Sequence, residues 1–243
     1  MDLVGPRYLK GDGRLYVLNI IDVQTHMTQV YPIRSKSAES ILAGIVEFWK
    51  DHGIPDCLQM DNELSFRGSN RHPRSLGLIL RFVLSQGVRP LFIPNGEPWR
   101  NGTIEKFNDT FDKKFFRRQL FESFEALQKE AIIFKHFHNQ HHRYSVHNGK
   151  TPAEMTKFIG EYPRLSKEYQ AVDKPPLVDG ELYFIRFVRS DRIIRILGDK
   201  FQVKGQLVYS YIVAIIIIEK QSLLVCQDGQ IHHQFPFVMN VDW

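Results

Sequence analysis

The sequence predicts an α/β segment followed by a small all-β segment. In the first part of the chain, strand-like apolar runs such as residues 15–21 alternate with amphipathic helical patterns such as residues 38–51. Beyond Pro175-Pro176, short apolar runs are separated by Gly-Asp and Asp-Gly turns, which is typical of a barrel or sandwich. The 243 residues are enough for one large domain or two smaller ones.

The elements of the first segment follow from two periodicities. Strands are predicted where β-favouring apolar residues recur, at residues 3–4, 15–21, 27–33, 57–60 and 88–93. Helices are predicted where apolar residues recur at helical spacing, at residues 38–51, about 76–84, from 102 onward, and 124–141. The segment Ser35-Lys-Ser37 supplies candidate N-caps for the first helix, and Thr151 with Glu154 is expected to form a capping box that opens a short last helix.

The second segment begins after a change in composition. Residues 169–176 contain a Pro pair that resists both helix and central strand, so we interpret them as a linker. Short strands are predicted beyond it, at residues 181–188, 193–197, 201–203, 207–218 and 223–226. The predicted domains are therefore residues 1–168 and residues 177–243.

Composition excludes several classes of protein. Only two cysteines occur, so the chain has neither a disulfide framework nor a Cys-x-x-Cys zinc module. The longest apolar run, residues 211–218, is too short to cross a bilayer, and Asp2 directly after Met1 does not fit a signal peptide. A net charge of +5 favours polyanionic partners. We expect a cytoplasmic chain that does not associate with a membrane.

Three acidic residues lie where predicted strands end or helices begin. Asp2 is on the first strand, Asp61 follows the strand at residues 57–60, and Glu105 lies in the first turn of the helix after Gly102. Three carboxylates converging at a sheet edge hold hard cations such as Mg²⁺. The alternative is that each acid is a surface charge or favours a helix N-terminus, and the spacing alone leaves both interpretations open.

The context of these acids resembles the catalytic core of DDE transposases and retroviral-type integrases. The resemblance is carried by an Asp-Asn pair after a strand, a Pro-containing loop with Asn-Gly, and a helix with Glu, a basic residue and Asn: Asp61-Asn-Glu-Leu-Ser-Phe66, Phe92-Ile-Pro94 and Glu97-Pro-Trp-Arg-Asn-Gly-Thr-Ile-Glu-Lys-Phe-Asn108. Residues 137–139, 142–144 and 149–154 are similar to the segment that closes this core in bacterial insertion-sequence transposases. The resemblance covers about residues 2–158.

This resemblance implies a fold and an activity. The fold is an RNase H-like core, a mixed five-stranded sheet with flanking helices, followed by a small all-β SH3-like barrel. The activity is that of a polynucleotidyl transferase, which cleaves mobile-element DNA at its 3′ end and transfers the strand to target DNA. Asp2, Asp61 and Glu105 would be the catalytic residues and would hold two Mg²⁺ or Mn²⁺ ions.

The implied partners are nucleic acid and further copies of the chain. Mobile-element ends and target DNA are the expected substrates, a homo-oligomer on DNA is the expected assembly, and a bacterial host would place the protein on the nucleoid. Basic and polar residues beside the proposed metal site are candidates for contacts with DNA phosphates: Arg100, Asn101, Lys106 and Arg143.

Two features of the sequence leave alternatives. The spacing between the second Asp and the Glu that is usual in the family leads from Asp61 to Glu97. However, Glu97 precedes Pro98 in a predicted loop, whereas Glu105 follows Asn101-Gly102 on a predicted helix. We favour Glu105, because a helix holds a ligand more rigidly than a loop does. The family's helical DNA-binding region would precede Asp2 and is absent here. The alternatives are a catalytically impaired, N-terminally truncated DNA-binding remnant or a metal-dependent nuclease of the same fold.

Overall fold

The computed structural model of the chain describes residues 1–68, 71–94, 96–160 and 162–240, with the backbone alone at 98 and 99. The chain forms two compact units, and each unit is made of two separate segments. Unit 1 consists of Met1–Ile54 and Asn101–Ala171, and unit 2 consists of Pro55–Arg100 and Val172–Trp243.

Unit 1 combines an antiparallel sheet with four helices. The sheet has the order β1-β2-β3, with β1 (Asp2–Leu9), β2 (Gly13–Ile21) and β3 (Thr28–Ile33). The helices are α1 (Ala38–Asp51), α4 (Gly102–Phe111), α5 (Phe124–His141) and α6 (Pro152–Ile159). A π-helical turn over Asp112–Phe116 extends α4, and short 3₁₀ turns cover Pro98–Asn101, where the chain enters this unit, and Ser145–His147.

The core of unit 1 fixes the position of α4. Phe107, Phe111 and Phe115 are buried at helical spacing and pack with Leu15 of β2 and Leu127 of α5. Burying one such aromatic side chain contributes about 1.5–3 kcal/mol. The opposite side of α4 is left exposed or half-buried, so the helix presents its polar residues along one stripe.

Unit 2 contains a mixed six-stranded sheet in the order β11-β10-β9-β6-β5-β4. Its strands are β4 (Cys57–Met60), β5 (Arg89–Phe92), β6 (Glu181–Phe187), β9 (Tyr211–Ile217), β10 (Ser222–Gln227) and β11 (Gln230–Pro236). The β4–β5 and β5–β6 pairs are parallel, and the remaining pairs are antiparallel. A separate two-stranded hairpin consists of β7 (Ile193–Ile196) and β8 (Asp199–Gln202). The helices described in this unit are α2 (Leu64–Arg67) and α3 (Leu78–Ser85), and a 3₁₀ turn covers Gly205–Leu207.

The chain is an α/β protein, as the sequence predicts, and many local elements agree with the periodicity. The helix over residues 38–51, the strand over residues 57–60 and the helix over residues 124–141 have the predicted bounds. Ser37 caps the first of these helices, and the capping box of Thr151 and Glu154 is formed in full. None of the described helices combines the length and apolarity that a membrane crossing requires.

The pairing of strands differs from the prediction in two respects. The expected five-stranded core sheet is divided within the described residues, because β1–β3 form one sheet while β4 and β5 belong to another. The separate SH3-like barrel is not confirmed, because β6, β9, β10 and β11 continue the sheet of β4 and β5. Local apolar alternation defines a strand and its two faces but does not select a partner from a distant segment, which explains both differences.

The predicted domain boundaries, residues 1–168 and 177–243 around a linker, remain a prediction. The chain passes for the last time from unit 1 to unit 2 between Ala171 and Val172, inside the predicted linker. The segment Pro55–Arg100 groups with the C-terminal residues, which composition alone does not indicate.

Candidate active site

In unit 1, Asp2 is held by the backbone of its own strand and by α4. Asp2 lies opposite Asn19 in the β1–β2 ladder. Its Oδ1 accepts a hydrogen bond from the Leu3 amide at 2.9 Å, and its Oδ2 accepts one from Asn108 Nδ2 at 2.6 Å. Because the acceptor is a carboxylate, the bond from Asn108 is charge-assisted and stronger than a neutral one.

The Asn108 side chain joins β1, β2 and α4. While its Nδ2 donates to Asp2, its Oδ1 accepts a hydrogen bond of 2.8 Å from Nδ2 of Asn19. Asn19 is fully buried, and its own Oδ1 accepts no hydrogen bond within the described residues. A single amide therefore fixes the Asp2 carboxylate and satisfies a buried donor.

Glu105 lies one helical turn before Asn108 on α4. Residues three apart on a helix share a face, so Glu105 lies on the stripe that carries Asn108 and thereby on the side of Asp2. Its neighbours Ile104 and Phe107 are buried, while Glu105 itself is half-buried. Two of the three predicted ligands thus lie on elements joined by one hydrogen-bond network.

The third predicted ligand, Asp61, lies in unit 2 directly after β4. Its Oδ1 accepts a hydrogen bond from the Glu63 amide at 2.9 Å, which folds the loop back at the start of α2. Asn62 donates its amide to the Ile93 carbonyl and accepts a 2.7 Å hydrogen bond from the Arg186 guanidinium. The Asp61-Asn62 segment is therefore held from both sides by β5 and β6.

Glu97, the alternative ligand, is engaged within unit 2. Its Oε2 accepts hydrogen bonds from Arg100 Nε at 2.7 Å and from the Tyr211 hydroxyl at 2.9 Å, and its side chain is only 13% exposed. The Arg100 guanidinium also lies 3.8 Å from the centre of the Tyr211 ring. Hydrogen bonding with Tyr211 and Glu97 raises the pKa of Arg100.

The residues predicted to contact DNA lie at different positions in the fold. Lys106 is exposed on α4, and Asn101 occupies the N-cap position of that helix. Arg143 is exposed, donates a 2.7 Å hydrogen bond to the Gly149 carbonyl and lies 3.5 Å from Glu154. Arg100 is ion-paired with Glu97. Their contacts with DNA remain predictions.

A histidine cluster lies behind α4 in the same unit. His138 of α5 is buried, its ring meets Phe107 edge-on at 5.1 Å between centroids, and its Nε2 makes a 2.9 Å hydrogen bond with the Tyr144 hydroxyl. Burial lowers the pKa of His138 to about 3, with smaller contributions from His142, Lys114 and His26. At neutral pH this imidazole is uncharged and serves as packing for the helix that carries Glu105.

In the part of the chain that the structure describes, no three His, Cys, Asp or Glu side chains are grouped so that they could hold a metal ion. Asp2 and Glu105 lie in one unit and Asp61 in the other, and the set of three remains a prediction.

Two residues that hold the predicted ligands were not singled out as site residues by the sequence. Asn108 ends the quoted motif, but its role emerges only from its contact with Asp2. Arg186 does leave a signal: it lies in register with the buried residues Leu182 and Phe184 on an otherwise apolar strand face. A guanidinium at such a position requires a partner.

The comparisons with known proteins concern the family of one segment and the fold of the chain. Residues 86–152, which include Glu97, Glu105 and Asn108, match the family model of the integrase core domain. A chain of the simian T-cell lymphotropic virus intasome, solved in complex with the PP2A regulatory subunit B56 gamma, is similar in fold to this chain. The TM-score is 0.51 and the identity 14%, over 98% of this chain and 75% of that one.

A second solved structure, the magnesium complex of the HTLV-2 integrase catalytic core, matches 63% of this chain and 91% of its own length, with 14% identity and a TM-score of 0.46. No curated protein sequence matches the chain. The family model bears on the segment that contains α4, the helix on which the proposed site depends. Residues 86–152 thus match the integrase core domain model, and this match bears out the resemblance to DDE transposases and retroviral-type integrases.

Proposed function

We propose that the chain is a DNA transposase or integrase that uses Asp2, Asp61 and Glu105 to cleave and join phosphodiester bonds. The observation that carries this proposal is the network in unit 1, in which Asn108 of α4 holds the Asp2 carboxylate and Glu105 lies one turn away on the same helix. The integrase core domain match covers this helix and supports the polynucleotidyl transferase class.

The donor set fits a hard divalent cation. All three candidate ligands are carboxylates, and Mg²⁺ and Mn²⁺ prefer oxygen ligands. Each Asp2 oxygen accepts one of these hydrogen bonds, from Leu3 or from Asn108, and has a further lone pair. Two bound ions would supply electrostatic stabilisation of the attacking and leaving oxygens.

The remaining groups position the reactants. In 3′-end cleavage, water attacks the phosphorus, the bond to the 3′ oxygen breaks, and a 3′-OH and a 5′-phosphate result. In strand transfer, that 3′-OH attacks a target phosphodiester and releases a target 3′ oxygen. Asn108 and Asn62 keep the carboxylate-bearing segments fixed, and the cationic residues Lys106 and Arg143 bind backbone phosphates.

Glu105 is our choice over Glu97 for the third ligand. Oε2 of Glu97 already accepts two hydrogen bonds, one of them within an ion pair to Arg100, so ligation through this oxygen would break them. Glu105 lies on a regular helix whose apolar stripe is buried in the core. A rigid element holds a ligand in place more accurately than a loop.

The proposal includes DNA as substrate and a homo-oligomer as the active assembly. The net charge of +5 supports a polyanionic partner. The assembly is proposed by analogy with the simian viral intasome, because this chain is similar in fold to a chain of that complex.

The test is Mg²⁺- or Mn²⁺-dependent nicking and joining of labelled oligonucleotides. Asp61→Asn and Glu105→Gln should abolish both reactions, while the matched Glu97→Gln should retain them. Loss of activity in Glu97→Gln with retention in Glu105→Gln would move the third ligand to the loop. Nicking without joining would instead indicate a nuclease, and DNA binding without nicking would indicate a non-catalytic remnant.

A further inference from the structure

Two arginines in unit 2 lie near enough for their charges to interact, and neither has an acidic partner among the described residues. Arg186 is on β6 and Arg67 ends α2. Neither guanidinium forms an ion pair with an acid in the described part of the chain, and Nε of Arg67 is buried there without any hydrogen-bond partner. Buried or half-buried cations are normally paired, so this arrangement lacks an anion.

The hydrogen bonds of Arg186 go to neutral acceptors. It donates a hydrogen bond of 2.7 Å to Oδ1 of Asn62 and one of 2.8 Å to the Ile185 carbonyl. Two longer hydrogen bonds go to the carbonyls of Arg195, at 3.2 Å, and Ile93, at 3.5 Å. These contacts orient the guanidinium beside the Asp61-Asn62 segment without neutralising its charge.

Arg67 is positioned by a close backbone crossing. The next residue, Gly68, has φ +98°, and a Cβ built on it would lie 2.8 Å from the backbone nitrogen of Gly77. The amide of Gly77 also donates to the Arg67 carbonyl at 3.4 Å. The end of α2 is therefore fixed against the start of α3, and the direction in which Arg67 leaves the helix is set by the backbone.

The electrostatic consequence is an unfavourable pair of like charges. Burial and, to a smaller extent, the nearby charge of Arg67 lower the pKa of Arg186 to about 10. Burial also lowers the pKa of Arg67. Both groups still carry a positive charge at neutral pH, so an anion between them would relieve both desolvation and repulsion.

We propose that Arg67 and Arg186 together form a phosphate subsite, which takes a backbone phosphodiester of the DNA strand next to Asn62. The planar guanidinium matches phosphate oxygens in a bidentate manner, and two of them can share one phosphate. This inference rests on the proposed function, because the Asp61-Asn62 segment beside the subsite is there assigned to phosphodiester chemistry. It adds a phosphate contact from β6, which lies outside residues 86–152 of the family match.

The test measures binding of a labelled DNA duplex to the full chain by fluorescence anisotropy in EDTA over a range of salt concentrations. Arg67→Gln and Arg186→Gln should each weaken binding by roughly tenfold or more. Each should also reduce the slope of log affinity against log salt by about 0.9, the value for one phosphate. The matched control is Arg189→Gln, at an exposed loop residue of the same unit. It should change both the DNA affinity and the salt slope by much less than the other two variants do.

Two further variants keep the result independent of misfolding. Arg186→Lys retains the charge and should keep most of the salt slope, and thermal unfolding should show all variants folded at the assay temperature. The double variant should lose less than the product of the single losses, because both arginines act on one phosphate. Multiplicative losses, or salt slopes equal to that of the wild type, would overturn the shared subsite.

A free phosphate is the other source of the same chemistry. If inorganic phosphate raises the unfolding temperature of the wild type but not of Arg67→Gln, while all variants bind duplex equally, the DNA assignment is wrong. Because binding is measured without divalent metal, Asp61→Asn should retain the wild-type salt slope. If the wild type neither nicks nor joins DNA but the arginine variants still reduce the salt slope, the proposed chemistry is contradicted and the phosphate subsite is supported.

Discussion

Replacing Asn108 by alanine should destabilise unit 1 because one amide serves two partners. The variant loses the 2.6 Å bond to Asp2 and leaves the Asn19 Nδ2 donor, now 2.8 Å from Asn108, without an acceptor. A hydrogen bond to a charged group contributes about 1.5–3 kcal/mol, and an unsatisfied buried donor costs about 1–3 kcal/mol. Asp2 is half-exposed and water replaces part of its bond, whereas Asn19 is fully buried. We therefore expect a loss of about 3 kcal/mol.

The assay is urea unfolding followed by tryptophan fluorescence and far-ultraviolet circular dichroism, since Trp49 is fully buried in unit 1. Thr110→Ala on the same helix is the matched control and should stay within about 0.5 kcal/mol of the wild type. Asn19→Val combined with Asn108→Ala should recover part of the loss, because the buried donor is then removed. An Asn108→Ala variant as stable as the control would refute the bridging role of this amide.

Two further predictions concern buried and strained positions. In the folded protein the pKa of His138 is lowered to about 3. Below pH 6.5 the unfolded state therefore binds a proton that the folded state does not. As the pH is lowered from 6.5 to 4, the free energy of unfolding should decrease. In urea titrations at several pH values, His138→Gln should flatten this dependence, while His136→Gln on the exposed side of the helix should not. Gly68→Ala should lower the unfolding temperature far more than Gly87→Ala, because both residues have positive φ but only the first meets backbone, 2.8 Å from its new Cβ. Equal shifts for the two glycine variants would contradict the close crossing.

The local elements could be predicted from the sequence because their causes are local. The helix over residues 38–51 has an N-cap serine, an apolar stripe and a terminating glycine within the segment itself. The pairing of β5 with β6 has no such local cause, since residues 93–180 lie between the two strands. The described sheets differ from the expected five-stranded sheet at this point, in the choice of strand partners, and the separate barrel is not confirmed.

The candidate site divides along the same line. Asp2, Asp61 and Glu105 were found through a motif, and residues 86–152 match the corresponding family. The roles of Asn108, which holds Asp2, and of Arg186, which holds the Asn62 next to Asp61, emerge from contacts across the fold. The residue types that can bind a metal are set by the chemistry of the metal and therefore recur in a motif. The residues that hold those ligands in place depend on which distant segments pack beside them in the fold.

The properties required of residue 108 show how the network limits substitution. Asparagine offers one donor to the Asp2 carboxylate and one acceptor to the Asn19 amide. Aspartate would place a second carboxylate against Asp2, and leucine would remove the hydrogen bonds that Oδ2 of Asp2 and Nδ2 of Asn19 make with residue 108. Because Phe107 and Phe111 bury the opposite face of α4, the helix cannot rotate to relieve either conflict without opening the core. The position of Glu105 is thus fixed by the same packing that holds Asn108 against Asp2, which ties the proposed chemistry to the stability of unit 1.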